Sequence, residues 1–270
     1  MGGSPAHKRV AARFDMAGRR ALVTGGSVSI GRAIAIAFAE AGADLAIHYA
    51  PEADRAFGLP DAARETAAEV EALCRRAVLI AADFEKPVEA RRTVAEAEKA
   101  LGVVDVLVVC ASIQYRTPFA AVTSEQIARQ VQINFSASVE LLQAAIPPMR
   151  ERRWGRVLTI GSINETRPEA ELSVYAALKS AQHNLAINLA RQCAEDGVTV
   201  NNLSPGLIAT ERNRWRREDA AAWADIERRA NPMGRAGTPD EIAAGALLLC
   251  SEAGRFITGA DLQIDGGHHL

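Results

Sequence analysis

Tyr175 and Lys179 stand four residues apart, in Tyr175-Ala176-Ala177-Leu178-Lys179. On a helix they share one face about one turn apart, which brings an ammonium beside a phenol. An unperturbed phenol titrates near pH ~10, too high for a ready base at neutral pH, and a neighbouring positive charge favours its ionised form. A solvated surface pair is the plain alternative. Ser162 closes the apolar run Thr159-Ile160-Gly161-Ser162 with a hydroxyl able to polarise a carbonyl oxygen. A serine at a strand end also serves as a turn former or helix cap. Upstream, Thr24-Gly25-Gly26-Ser27-Val28-Ser29-Ile30-Gly31 runs straight into the apolar stretch Ala33 to Ala41. A glycine-rich turn there lets backbone N–H groups meet a pyrophosphate at the positive end of a helix, and a tight turn with no ligand is the other reading.

Elements able to position these groups are visible along the chain. Short β-type runs are expected at Ala21 to Thr24, Asp44 to Tyr49, Ala77 to Ala81, Asp105 to Val109, Arg156 to Ile160, Thr199 to Leu203 and Asp261 to Ile264. Helical patterns begin near Gly31, Asp61, Pro87, Ser124, Ser173 and Pro239. Strands alternating with longer helices predict an α/β fold, a Rossmann-like doubly wound parallel sheet of about seven strands with helices on both faces. Tyr175 and Lys179 then fall on the helix after the fifth strand, and Ser162 at the carboxyl edge where such sheets place ligands. Two stretches look irregular, 50–60 and 206–238. Loops as long as the second tend to be lids or binding segments. A substrate lid is expected over 207–237, with Arg212, Arg214, Trp215, Arg216 and Arg217 suggesting a helical piece. No linker or repeat divides the chain, so 18–270 reads as one domain behind an N-terminal extension, 1–17.

Composition narrows the class. The chain has 270 residues, 49% of them apolar, with a formal charge of −2. No strong field of either sign points to a nucleic acid or an anionic membrane. Cys74, Cys110, Cys193 and Cys250 form no metal or dithiol motif and read as small core residues of a reducing compartment. No metal site is expected. Met1 to Phe14 has Lys8, Arg9 and Arg13 but no apolar run, and no later segment suits a bilayer, so a cytoplasmic protein is expected.

Taken together, these features resemble the classical short-chain dehydrogenase/reductase family over nearly the whole chain, Arg20 to Gly267. Asn134, Ser162, Tyr175 and Lys179 match the family's catalytic tetrad in order. Gly25, Ser27, Ser29, Ile30 and Gly31 match its phosphate turn. Asp83-Phe84 matches the acidic position that contacts adenine, Ala111 the loop after the fourth strand, and Asn201 through Pro205, Gly206, Ile208 and Thr210 the segment that touches the nicotinamide. Asp265-Gly266-Gly267 matches the C-terminal signature. There are two departures. Ser29 replaces a glycine, adding a β-carbon where the backbone approaches phosphate. Val109-Cys110-Ala111-Ser112 replaces Asn-Asn-Ala-Gly, losing amides that brace the sheet edge.

The resemblance implies an NAD(P)-dependent oxidoreductase that moves a hydride between cofactor and a carbonyl or alcohol carbon. Ser162 and Tyr175 would hold the substrate oxygen, Tyr175 would pass the proton, and Lys179 would favour the tyrosinate and bond the ribose. Asn134 would hold a relay water. The second strand ends Ile47-His48-Tyr49 without a carboxylate to repel a 2′-phosphate, and His48, Tyr49 or Arg55 would lie near it, which slightly favours NADP(H) over NAD(H). Glu52 and Asp54 keep the acidic alternative open. Gln114, Arg116, Asn164 and Trp215 are expected at a pocket for a small polar substrate of sugar-acid, polyol or 3-oxoacyl type, although solvated arginines are an equally plain reading. The family's habit implies a homotetramer. A nucleotide-sensing binding protein without turnover is the alternative, motivated by the two departures and opposed by the intact tetrad.

Overall fold

The structure, a computed structural model, describes residues 9–270. The first eight residues of the expected N-terminal extension lie outside it. Seven parallel strands form one sheet in the order β3-β2-β1-β4-β5-β6-β7. They are β1 (Arg20–Val23), β2 (Asp44–Tyr49), β3 (Ala77–Ala81), β4 (Val106–Val109), β5 (Gly155–Ile160), β6 (Val198–Pro205) and β7 (Asp261–Ile264). Strand side chains point alternately to the two faces, and each face feeds its own core. Leu22, Ala46, Leu107, Val157 and Val200 pack with α4 (Glu89–Leu101), α6 (Ala137–Glu151) and α7 (Ser173–Cys193). Ala21, Val23, Leu45, Val106, Leu158 and Leu203 pack with α1 (Ser29–Glu40), α3 (Ala62–Ala72) and α9 (Pro239–Cys250). Strands covered on both sides must be apolar throughout, which is why they read as continuous runs.

The order turns at β1. Its neighbours are β2, the next strand in the chain, and β4, with Ala21 opposite Val106. At such a reversal the crossover helices leave for opposite faces and open a crevice at the carboxyl ends.

Two α-helices lie in stretches that the sequence pattern leaves irregular, and one expected helix is divided. The stretch 50–60 contains α2 (Pro51–Ala56), with proline at its first position and Glu52 and Asp54 in its first turn, a favourable start despite its brevity. The expected lid folds as a 3-10 turn, Glu211–Arg217, and α8 (Ala220–Ala230), whose N-cap Asp219 accepts from the N–H groups of Ala221 and Ala222 at 2.9 and 3.0 Å. The excursion closes on itself where Ile208 bridges to Gly237. The pattern beginning at Ser124 is α5 (Ser124–Gln130), then a π turn, Val131–Ser136, then α6, which carries Pro147 and Pro148 inside it. Cys193 and Cys250 are core residues as expected, whereas Cys74 is exposed at the end of α3 with φ +60°.

Candidate active site

The glycine-rich turn lies between β1 and α1 at the crevice. A Cβ on Gly31 would sit 2.0 Å from the Gly25 carbonyl oxygen, and one on Gly25, at φ +63°, would be 3.1 Å from Ala111 Cα. Only bare backbone fits, and the first-turn N–H groups of α1 have no intrahelical acceptor, so they face the crevice as an anion cradle. Ser29 adopts φ +52°, a left-handed conformation that costs any residue with a Cβ. Ser27 Oγ donates to Asp54 Oδ1 at 2.9 Å; the Asp54 carboxyl is buried, and burial pushes its pKa up.

His48 supports this turn from below. Its Nδ1 accepts from Gly25 N at 3.1 Å, its Nε2 lies 3.1 Å from Ala82 O, and the ring stacks on Phe84 at 4.0 Å. Burial pushes its pKa down to about 4. The expectation that His48 meets a 2′-phosphate therefore fails: the ring is neutral, enclosed and spent at both nitrogens. The Phe84 side chain likewise lies in the core, stacked on that ring. Arg55 pairs with Glu52 on the exposed face. Tyr49 ends β2 half-buried, and Asp83 Oδ1 accepts from Glu85 N at 3.0 Å, ordering its own turn.

The bracing amides missing after β4 are replaced by one hydroxyl. Thr24 Oγ1, fully buried, donates to Val108 O at 3.2 Å and accepts from the N–H groups of Cys110 and Ala111 at 2.9 and 3.1 Å.

Ser162 follows β5 after one intervening residue, Gly161, and its Oγ accepts from Asn164 N at 3.2 Å and Asn164 Nδ2 at 3.3 Å. With both acceptor positions taken, the hydroxyl proton is free to point at a substrate oxygen. Asn164 was expected at the pocket wall; instead it is buried and orients the serine, its Oδ1 also accepting from Glu169 N at 2.8 Å.

Tyr175 and Lys179 share the buried face of α7, with Lys179 Nζ 5.8 Å from the tyrosine ring centroid. The ammonium donates to Ile160 O at 2.6 Å and Gln182 Oε1 at 3.1 Å. Gln182 Nε2 donates to Ser138 Oγ at 3.0 Å, which donates to Asn134 O at 2.9 Å. A chain of buried polar groups thus joins Lys179 to Asn134. The Asn134 side chain, in the π turn, is committed to Ile113, accepting its N–H and donating to its carbonyl, each at 2.8 Å. It therefore pins the loop after β4, using one acceptor position and one N–H of the amide.

Pro205 ends β6, and a Cβ on Gly206 would come within 2.7 Å of Asp265 Cα, so the two family segments pack together. Ile208 is buried and Thr210 begins the lid. Asp265 is pushed up by burial but held below the usual carboxylate range by the His269 ring and the N–H groups of Gly267 and His269. Arg116 and Trp215 line a cavity of about 450 Å³ with Glu171, Arg216, Asp219, Ala222 and Ile226. Ser162 and Tyr175 do not line this cavity, which is joined to the serine through Asn164, Glu169 and the 2.7 Å Arg116–Glu169 ion pair. Gln114 is half-buried in the loop that Asn134 pins.

Comparison with known proteins decides what this arrangement belongs to. The family model described as enoyl-(acyl carrier protein) reductase matches residues 25–269. The chain is a member of the short-chain dehydrogenase/reductase family. It is 38% identical over 263 residues to galactitol 2-dehydrogenase (L-tagatose-forming) of Cereibacter sphaeroides, covering 94% of this chain and 96% of that one. It is 33% identical over 254 residues to L-rhamnose 1-dehydrogenase (NAD(P)(+)) of Sphingomonas sp. (strain SKA58), covering 94% and 97%. A solved 3-oxoacyl (acyl-carrier-protein) reductase from Agrobacterium tumefaciens C58 with NADP bound superposes with a TM-score of 0.90 at 39% identity, over 96% of this chain and 97% of that one. This short-chain dehydrogenase/reductase is an NAD(P)-dependent oxidoreductase acting on CH–OH and C=O groups.

Several supporting roles in this dehydrogenase are not visible in the sequence. Glu165 accepts from Ser162 N at 2.9 Å and lies 2.8 Å from His183 Nδ1, while Asn202 Nδ2 donates to Asp261 at 2.9 Å and, more weakly, to Glu165. Burial and the nearby Asp261 raise the Glu165 pKa. Asn202, Gln182, Ser138 and Thr24 all find partners far away in sequence. The one local signal is Ser162-x-x-Glu165, the capping-box spacing.

Proposed function

We propose that this enzyme uses NADP(H) to interconvert an alcohol and a carbonyl on a small polar substrate of sugar-acid, polyol or 3-oxoacyl type. The observation that carries the reading is the disposition of Ser162, whose hydroxyl proton is left free while Tyr175 and Lys179 sit on the buried face of the adjoining helix. In the reduction direction, Ser162 Oγ donates to the substrate oxygen and Tyr175 delivers a proton to it; in oxidation Tyr175 removes that proton. Lys179, fixed by Ile160 O and Gln182, places an ammonium 5.8 Å from the Tyr175 ring and offers a donor for a ribose hydroxyl. The nicotinamide ring, when bound, supplies the site that gives or takes the hydride. Its pyrophosphate fits the bare-backbone cradle of Gly25 and Ser29 to Gly31, flanked by Ser27 and Ala111.

Three features support NADP(H) over NAD(H). No carboxylate ends β2, the Asp54 carboxylate turns inward onto Ser27, and the superposed Agrobacterium reductase holds NADP. Among the described residues, Arg216 at the cavity that Trp215 lines has no hydrogen-bond or ion-pair partner, whereas Arg116 is paired with Glu169 and Asp219 caps α8. A free guanidinium suits the polar end of such a substrate. The four reduced cysteines accord with a cytoplasmic enzyme, the unbroken sheet with one domain over 18–270, and the family with a homotetramer.

Calorimetric titration of NADPH and NADH into the protein and into Tyr175→Phe, followed by a carbonyl and alcohol turnover panel, tests the reading. The expected result is tighter binding of NADPH by both proteins and turnover only in the unsubstituted one. Binding without turnover in either would favour a nucleotide-sensing protein.

A further inference from the structure

Both departures from the family pattern put a serine where a glycine is usual, Ser29 in the phosphate turn and Ser112 after β4. They lie in the turns after β1 and β4, and each bonds one of two consecutive residues of the lid. Glu211 N donates to Ser29 Oγ at 3.1 Å across 182 residues of sequence. The next residue, Arg212, donates through Nη2 to Ser112 O at 2.7 Å and to Ser112 Oγ at 3.2 Å. Ser29 bears its Cβ at φ +52°, where glycine is at ease, so the hydroxyl is kept against a backbone preference. Two other lid arginines are tied elsewhere: Arg217 to Thr210 O at 3.1 Å, and Arg214 to Glu211 and to Phe57 O.

We propose that Ser29 and Ser112 are positioning residues that clasp the start of the lid, Thr210–Arg212, across the cofactor crevice, so that nucleotide exchange requires both clasps to open. One clasp rises from the turn that cradles pyrophosphate and the other from the loop that walls the crevice, so a closed lid reports on both halves at once. The idea builds on the dehydrogenase reading, because it is the passage of the nucleotide that the clasps control. It accounts for Ser29 and, through the longer bond to its hydroxyl, for Ser112: a bound nucleotide is retained longer, and the Ile208–Thr210 segment is held in place for hydride transfer.

The test follows hydrogen–deuterium exchange of peptides covering 207–217 in the full-length protein, with and without NADPH, and NADPH dissociation by stopped flow. Ser29→Ala removes the first clasp and Arg212→Met the second. Each should speed lid exchange and NADPH dissociation by about fivefold, the factor that one typical net hydrogen bond represents. Ser29→Gly should do the same without lowering Tm, since it also relieves the left-handed strain. Faster NADPH dissociation in Ser29→Ala with lid exchange unchanged in the nucleotide-free protein would mean that the hydroxyl serves the nucleotide directly, and the clasp is wrong. Unchanged exchange in both variants overturns it as well. Because the exchange arm needs no nucleotide, it decides the clasp even if the dehydrogenase reading fails.

Discussion

A buried histidine shows how far residue chemistry can be read from a sequence. Tyr175, Lys179 and Ser162 were legible because spacing and strand position announce them. His48 was not, because what defines it is Gly25 on one side and Ala82 on the other, 23 and 34 residues away. Since its folded pKa is about 4 against 6.5 when unfolded, the unfolded chain binds an extra proton between those values. Stability from this group is therefore present above pH ~6.5 and lost as pH falls towards ~4, amounting to about 3 kcal/mol in all. Protonating Nδ1 would also set two donors against each other at Gly25. Urea midpoints of His48→Gln should fall less steeply than wild type across that window; parallel curves would show that the histidine carries no such linkage. Thr24 makes the matching case for a neutral group. Thr24→Val orphans the N–H groups of Cys110 and Ala111 and should cost about 3 kcal/mol, read as a Tm drop of roughly 2–4 °C per kcal/mol.

At the scale of elements, all seven strands were legible, their ends correct to within two residues, because burial on both faces leaves continuous apolar runs. The helices were harder. Pro147 and Pro148 look like breakers, yet α6 carries them, and the π turn ahead of it widens the helix where Asn134 must turn aside to reach Ile113. Nothing in Gln132-Ile133-Asn134-Phe135 announces that bulge. It matters because α6 and α7 are joined through Ser138 and Gln182, so the lysine on one helix is set by the other. Gln182→Leu removes the link while preserving bulk. It should lower kcat about tenfold, the equivalent of one hydrogen bond to a charged group, and leave KM for NADPH nearly unchanged. A rise in KM alone would place the glutamine in nucleotide binding instead.

For the whole molecule, a doubly wound sheet was legible from alternation, but its strand order was not, since periodicity does not say which strand lies beside β1. The half-buried edge strand β7 leaves a flank on which copies of the chain can pack. Sedimentation equilibrium should return a particle four times the 28.8 kDa chain, and a monomer would remove the tetramer from the proposed function. The strand order also has a consequence in time. Synthesis delivers β1, β2 and β3 first, but the other edge of β1 must wait for β4, and Arg20 meets its partner Asp105 only 85 residues later. Until then the emerging chain presents Ala-Leu-Val with unpaired backbone groups, the kind of edge that recruits the wrong partner. Nucleotide cannot shield it, because Ala111 and the far wall of the crevice have not yet been made. The yield of this enzyme in cell-free synthesis should therefore respond to added chaperone more than to added cofactor.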